Sequence, residues 1–272
     1  MTVFRKPRLA ALAMASALVL TGCGEAESDV AEADVAETAP KEAPAESADY
    51  SIAAVKAASW PGKEAADTDL MDPVPTRENI MVVLDMSGSM GGSGCAGNFR
   101  TKSEAAKSVL RDWVQSVDKE ANLGLIVFDA SGTSVRLPLG RDNRDAFVDL
   151  ISDAFPSGGT PLAEAVSLAS NSLSEQAVYQ QGYGRYRMTV ITDGQHDPGQ
   201  DPQAPLDRIF ANAANPIEIN TIGFCIRDSA LNQPGLTQYQ SARNPEELRA
   251  GLNQVLAEST DFKPIQEFNS DE

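Results

Sequence analysis

Three short polar motifs in this sequence carry oxygen atoms of the kind that hard cations take. Asp85-Met86-Ser87-Gly88-Ser89 offers one carboxylate and two hydroxyls, and the glycine between the serines lets a tight loop aim both hydroxyls at one point. Gly158-Gly159-Thr160-Pro161 adds a hydroxyl on a glycine hinge, and Ile191-Thr192-Asp193-Gly194 adds a second carboxylate. Mg²⁺ prefers oxygen ligands in octahedral geometry and keeps part of its water, so Asp85, Ser87, Ser89, Thr160 and Asp193 meet its needs without saturating it. Mn²⁺ and Ca²⁺ are the alternatives. Aspartate and serine are also ordinary turn formers, and the first motif alone would serve equally well as a loop. Position separates the two readings, because all three motifs have to arrive at one place.

After Arg77, short apolar runs alternate with amphipathic stretches, the signature of a parallel sheet covered by helices. Residues 80–84 (IMVVL) and 123–128 (LGLIVF) are continuous apolar runs, as strands buried on both faces should be. Residues 187–191 and 217–224 read as further strands, and 133–139, with its alternation, as a strand at an edge. Residues 102–117 put Ala106, Val109, Leu110, Trp113, Val114 and Val117 at helical spacing. Helices are also expected over 144–155, 162–173 and 205–214, the second with Thr160 as its cap and Pro161 as its first residue. The last helix has Asn244 as cap, Pro245 at its first position and Glu247 reaching back, with Leu248, Leu252, Val255 and Leu256 on one face. The expected fold is α/β: a Rossmann-like, doubly wound, mostly parallel sheet flanked by helices. In such sheets ligands gather outside the carboxyl ends of the strands, where Asp85 and Asp193 both fall.

Asp-x-Ser-x-Ser at 85–89, a distant Thr160 and a later Asp193 together resemble the metal-ion-dependent adhesion site of von Willebrand factor type A (vWA) domains. The resemblance covers roughly residues 79–256, in the order and spacing of strands and helices as well as in all five ligand positions. It implies direct metal binding by Ser87 and Ser89 and binding by Thr160 directly or through water. Asp85 and Asp193 are implied to act mainly through water and hydrogen bonds to the serines. An open coordination position is implied too, filled by an Asp or Glu carboxylate of a protein or peptide partner. The expected function is divalent-cation-dependent protein binding without catalysis. Two other readings are an accessory subunit of an envelope assembly with metal-independent contacts, and a metal-assisted hydrolase.

Arg5, Lys6 and Arg8 precede an apolar run at 9–20, shorter than the about 20 residues a membrane-spanning helix needs, and read as a secretory signal. Leu20-Thr21-Gly22-Cys23 resembles the lipobox of bacterial lipoproteins, which implies cleavage before Cys23 and lipid on that residue. Gly24 stands where an Asp would favour the inner membrane, and so leans toward the outer one. The expected organisation is a signal peptide at 1–22, an acidic tether at 23–78 beginning with lipidated Cys23, a vWA domain at 79–258 and an acidic tail at 259–272, all in the cell envelope. Residues 24–78 hold 14 acids against 4 bases, and the first half of the stretch has almost no large apolar side chain to offset ordering entropy. As a flexible coil that stretch would reach roughly 40 Å from the membrane. Formal charge is −17, and loss of the three basic leader residues makes it −17 − 3 = −20. Nucleic acid is thereby excluded as a partner, since binding it needs a basic footprint.

Cys95 and Cys225 sit in segments expected near one end of the sheet, in a compartment where disulfides persist; they form either a bridge or two separate buried thiols. The glycine-rich stretch Met90 to Phe99 contributes to partner choice or is a tolerated surface loop. His196, the one histidine, follows Asp193 closely but reads as a solvated loop residue. No Gly-x-Ser-x-Gly elbow, no phosphate loop ending in Lys-Ser/Thr and no zinc-type cluster is present in the chain.

Overall fold

The computed structural model describes residues 59–62, 72–226 and 230–257. The signal segment, Cys23, most of the tether and the C-terminal tail lie outside the described residues. Among the described residues the strands are β1 (Glu78–Asp85), β2 (Asn122–Asp129), β3 (Gly132–Gly140), β4 (Arg185–Thr192), β5 (Ile217–Phe224) and β6 (Gln238–Ala242). They form one sheet in the order β3-β2-β1-β4-β5-β6, parallel throughout except for the antiparallel β2–β3 pair. The α-helices are α1 (Lys102–Val114), α2 (Arg144–Asp153), α3 (Leu162–Tyr179), α4 (Gln203–Phe210) and α5 (Pro245–Ala257).

Side chains alternate across a strand, and β1 shows what that does in a sheet covered on both sides. Ile80, Val82 and Leu84 pack with α1, α2 and α5, whereas Met81 and Val83 pack with α3 and α4. Both faces are dry, which is why the run is apolar without alternation. The Trp113 indole N–H donates to the Leu252 carbonyl at 3.0 Å and locks α1 against α5. Arg187, fully buried on β4, pairs with Glu78 of β1 and Glu218 of β5 at 2.8 Å each and donates to the Val255 carbonyl.

Several boundaries differ from the expected ones for local reasons. α1 stops at Val114, and 115–117 tighten into bonds three residues back, so Val117 stays buried outside the α-helix. α2 stops at Asp153, where Ala154 turns to extended geometry (ψ 136°), and Phe155, held out of helical geometry by Pro156, does not resume the helix. α3 runs on to Tyr179, its buried stripe continued by Leu173 and Ala177. α4 begins at Gln203 and ends at Phe210, after which the Asn212 side chain turns the chain by accepting from the Ala214 amide. β6, whose sequence QYQSA gives no apolar run, pairs with β5 and was not expected.

Packing begins before Asn79. Arg77, buried, pairs with Asp72 at 3.1 Å and Glu120 at 3.0 Å. The buried Gln180 amide donates to the carbonyls of Pro75 and Arg77, and Trp60 stands edge-on to Tyr186 with ring centroids 4.7 Å apart.

Candidate metal centre

β1 and β4 lie side by side in the middle of the sheet, with Leu84 opposite Ile191. The chain leaves β1 toward one side of the sheet and returns through β4 on the other, and this reversal opens a crevice at the carboxyl ends. One residue beyond the Leu84–Ile191 pair, Asp85 meets Thr192: the Thr192 hydroxyl donates to Asp85 Oδ2 at 2.6 Å. Asp85 Oδ1 accepts from the Ser87 amide at 2.7 Å, which closes the turn that brings the serines back over the strand end. Asp85 is fully buried, and burial pushes its carboxyl up to about 6 against the lowering pull of Ser87 and Thr192, with nearby Asp193 raising it further.

From there a chain of hydroxyls crosses the crevice. Ser87 Oγ and Ser89 Oγ are 2.9 Å apart, and Ser89 Oγ donates to Asp193 Oδ1 at 2.6 Å. A carboxylate has no proton to give, so the single Ser89 hydrogen goes to Asp193 and Ser87 is the donor to Ser89.

Thr160 comes in from the β2 side. Gly158 has φ +82°, a left-handed conformation that favours glycine, and its carbonyl accepts from the Gly88 amide at 3.0 Å. The Ser157 amide donates to the Met86 carbonyl at 2.8 Å, so this loop is laced to the serine loop at two points. Thr160 does not cap α3. The helix starts one residue later behind Pro161, which has no side-chain bond to give it, and the threonine hydroxyl is left for the crevice. A Cβ on Gly194 would lie 3.5 Å from Thr160 Oγ1 and 3.6 Å from Ser89 Oγ, which sets both hydroxyls around one point.

All five expected residues are thus brought together, and three more take part that the sequence reading did not single out. Thr192 holds Asp85. Asp197 holds the threonine loop: its Oδ2 accepts from the Thr160 amide at 2.9 Å, and it sits where a side chain on Gly159 would have to go. Lys102, the first residue of α1, ion-pairs with Asp193. A signal for Lys102 existed, since a cation in the first helical turn opposes the helix dipole and needs another reason to be there. His196 does not join them; its Nδ1 lies 2.9 Å from the Asp197 carbonyl.

The donor chemistry fits a hard divalent cation. Cis oxygens of an octahedral Mg²⁺ site with bonds of about 2.1 Å stand about 3 Å apart, and the two serine hydroxyls are 2.9 Å apart. Among the described residues no group of three or more His, Cys, Asp and Glu could hold a metal ion.

The sequence pattern described as the von Willebrand factor type A domain matches residues 80–195, which holds all five oxygen donors. The uncharacterized protein YwmD of Bacillus subtilis is 30% identical over 159 residues, 54% of this chain and 67% of that one. The chain belongs to the von Willebrand factor type A family. Its vWA fold is shared with solved structures of low identity. The pilus adhesin SpaC of Lactobacillus rhamnosus GG superposes with a TM-score of 0.53 at 18% identity, covering 69% of this chain and 31% of that one. Proximal thread matrix protein 1 of the mussel byssus, solved with a zinc-occupied MIDAS motif, gives a TM-score of 0.52 at 17% identity, covering 67% of this chain and 48% of that one. This vWA chain therefore spans less than half the length of either of these structures.

The vWA domain also carries a disulfide, Cys95–Cys225, with Cα atoms 5.6 Å apart. It ties the glycine-rich loop that leads into α1 to the carboxyl end of β5.

Proposed function

We propose that this chain is a divalent-cation-dependent protein-binding module held in the cell envelope through lipid on Cys23, with no catalytic role. The observation that carries the reading is the unbroken run Asp85–Ser87–Ser89–Asp193, with Thr160 beside it, at the switch point of the sheet. Ser87, Ser89 and Thr160 would hold Mg²⁺ or Mn²⁺ through hydroxyl oxygens. Asp193, accepting the Ser89 hydroxyl, would turn that oxygen's lone pairs toward the ion, and Asp85, accepting the Ser87 amide, would fix the loop that presents both serines. When bound, the cation offers an unfilled coordination position to an Asp or Glu carboxylate of the partner. Neutral ligands suit that task, because a cation already neutralised by direct carboxylates attracts an incoming one less.

The rim supports a protein partner. Phe155 is 70% exposed two residues before Ser157, whose amide bonds the Met86 carbonyl, and exposed aromatic side chains are enriched at protein interfaces. Adhesion by the SpaC pilus protein and zinc in the MIDAS of the byssus protein are in keeping with the same reading.

The test is calorimetric titration of the full chain with Mn²⁺, beside Ser89→Ala. Wild type should bind one ion, and Ser89→Ala should bind at least about tenfold more weakly while unfolding at a similar temperature. Equal binding by both would remove the ion from this centre. Crosslinking in intact cells, with Mg²⁺ and with chelator, then addresses the partner. A set of partners indifferent to the chelator points to a metal-independent subunit of an envelope assembly.

A further inference from the structure

The Asp193 side chain is wholly buried, and Lys102, only 12% exposed, delivers its ammonium to Oδ2 of that carboxylate. The other oxygen of Asp193 is the one that accepts from Ser89, so ammonium and hydroxyl chain meet on a single carboxylate. Lys102 opens α1, where its charge opposes the positive end of the helix dipole. Helix capping there is done by Thr101, which accepts from the Glu104 amide, so Lys102 has no part in starting the helix. Its stem runs alongside Gly92, whose Cβ would come within 3.8 Å of Lys102 Cε, and its amide donates to the Gly92 carbonyl at 2.8 Å. The glycine loop therefore holds the lysine at the crevice, and Cys95–Cys225 anchors that loop.

We infer that Lys102 is a tethered cation that neutralises Asp193 in the metal-free protein and has to withdraw from it when a divalent cation binds. The inference rests on the reading of this crevice as a metal centre and adds to it a competitor supplied by the chain itself. Two buried carboxylates, Asp85 and Asp193, stand at neighbouring strand ends, and the charge of Asp193 adds to the cost of ionising Asp85. One ammonium on Asp193 lets the domain fold and stay folded without metal. A dication held on the Ser89 hydroxyl, next to the same carboxylate, makes the ammonium redundant and repels it. Lys102 thereby sets a threshold: the centre fills only where the cation is plentiful, and loading is coupled to movement of the lysine and of the loop it follows. No bond is made or broken in the exchange.

Lys102→Met keeps the aliphatic stem and removes the charge. In calorimetric titration of the full chain with Mn²⁺, Lys102→Met should bind about ten- to a hundredfold more tightly than wild type. Its unfolding temperature should fall below that of wild type without metal and return on adding Mn²⁺. Measurable binding by wild type with equal or weaker binding by Lys102→Met overturns the inference and leaves the metal centre standing. Absence of binding in both proteins overturns both. Binding by the variant alone supports both, since the lysine then blocks the centre outright. A measurement on wild type guards against a variant that fails to fold: amine acylation read by mass spectrometry at Lys102, with and without Mn²⁺. The lysine should be protected without metal and label several-fold faster with it, and an unchanged rate overturns the inference.

Discussion

Asp85 is paired with dipoles alone, the Ser87 amide and the Thr192 hydroxyl, while burial and the charge of Asp193 both work against its ionised form. Asparagine is the informative replacement. Its carbonyl can accept from the Ser87 amide, its NH₂ can donate to Thr192 Oγ1, and the Thr192 hydroxyl can turn to the Gly194 carbonyl, 3.3 Å away. No polar atom need be orphaned, and one buried charge is gone. Asp85→Asn should raise the stability of the metal-free protein by about 1–3 kcal/mol and weaken Mn²⁺ binding at least about tenfold. Urea unfolding with and without Mn²⁺ reads both effects. A variant that is less stable without metal would mean that the carboxylate charge at this position helps the fold, contrary to its environment.

Elements hold the centre through a few cross-links, and the disulfide is the longest of them, closing a loop of 130 residues in sequence separation. Both cysteines have positive φ, 57° at Cys95 and 70° at Cys225, where any side chain but glycine's is strained. Cys95→Ser with Cys225→Ser should lose up to about 5 kcal/mol by the chain-entropy argument. The corresponding double glycine variant should recover about 1–2 kcal/mol of that by relieving the two left-handed residues. Urea midpoints order the three proteins, and serine and glycine variants that unfold together would mean that backbone strain at these sites is negligible. The strands that carry Asp85 and Asp193 were legible because a sheet covered on both faces demands unbroken apolar runs, and Ile80 to Leu84 is such a run. β6 was hidden because an edge strand with polar side chains lacks that signature. Thr160 fits two patterns in the sequence, a helix cap before Pro161 and an oxygen donor beside a glycine hinge, and only the crevice, a tertiary feature, separates them by taking its hydroxyl. A cation in the first turn of α1 marked Lys102 as unusual, but its partner Asp193, like the hold of Asp197 on the Thr160 amide, is a tertiary pairing that no local pattern records.

At the scale of the whole molecule, the question is where the acidic stretch that precedes the domain stops being a linker. Composition changes after Arg77, but packing does not follow composition there. Asp72 accepts from Arg77 and its amide donates to the Tyr179 carbonyl at 3.0 Å, and Gln180 is buried to receive the chain at Pro75 and Arg77. Trp60 lies against Tyr186, which belongs to the core that α3 and α4 build on β4. A chain begun at Asn79 would expose that face of Tyr186, leave the Gln180 amide without its two acceptors, and take Arg77 from Glu120 and Glu78 from Arg187. A buried amide without an acceptor costs about 1–3 kcal/mol, and an aromatic pair contributes about 0.5–1.5 kcal/mol beyond its area. Residues 79–272 should therefore unfold about 4–12 °C below residues 49–272 in scanning calorimetry, at the roughly 2–4 °C per kcal/mol of a domain this size. The shorter chain should still bind Mn²⁺ with the affinity of the longer one, because among the described residues none of the removed contacts reaches the crevice. Equal unfolding temperatures would return residues 59–77 to the linker and leave the domain to begin at the first strand.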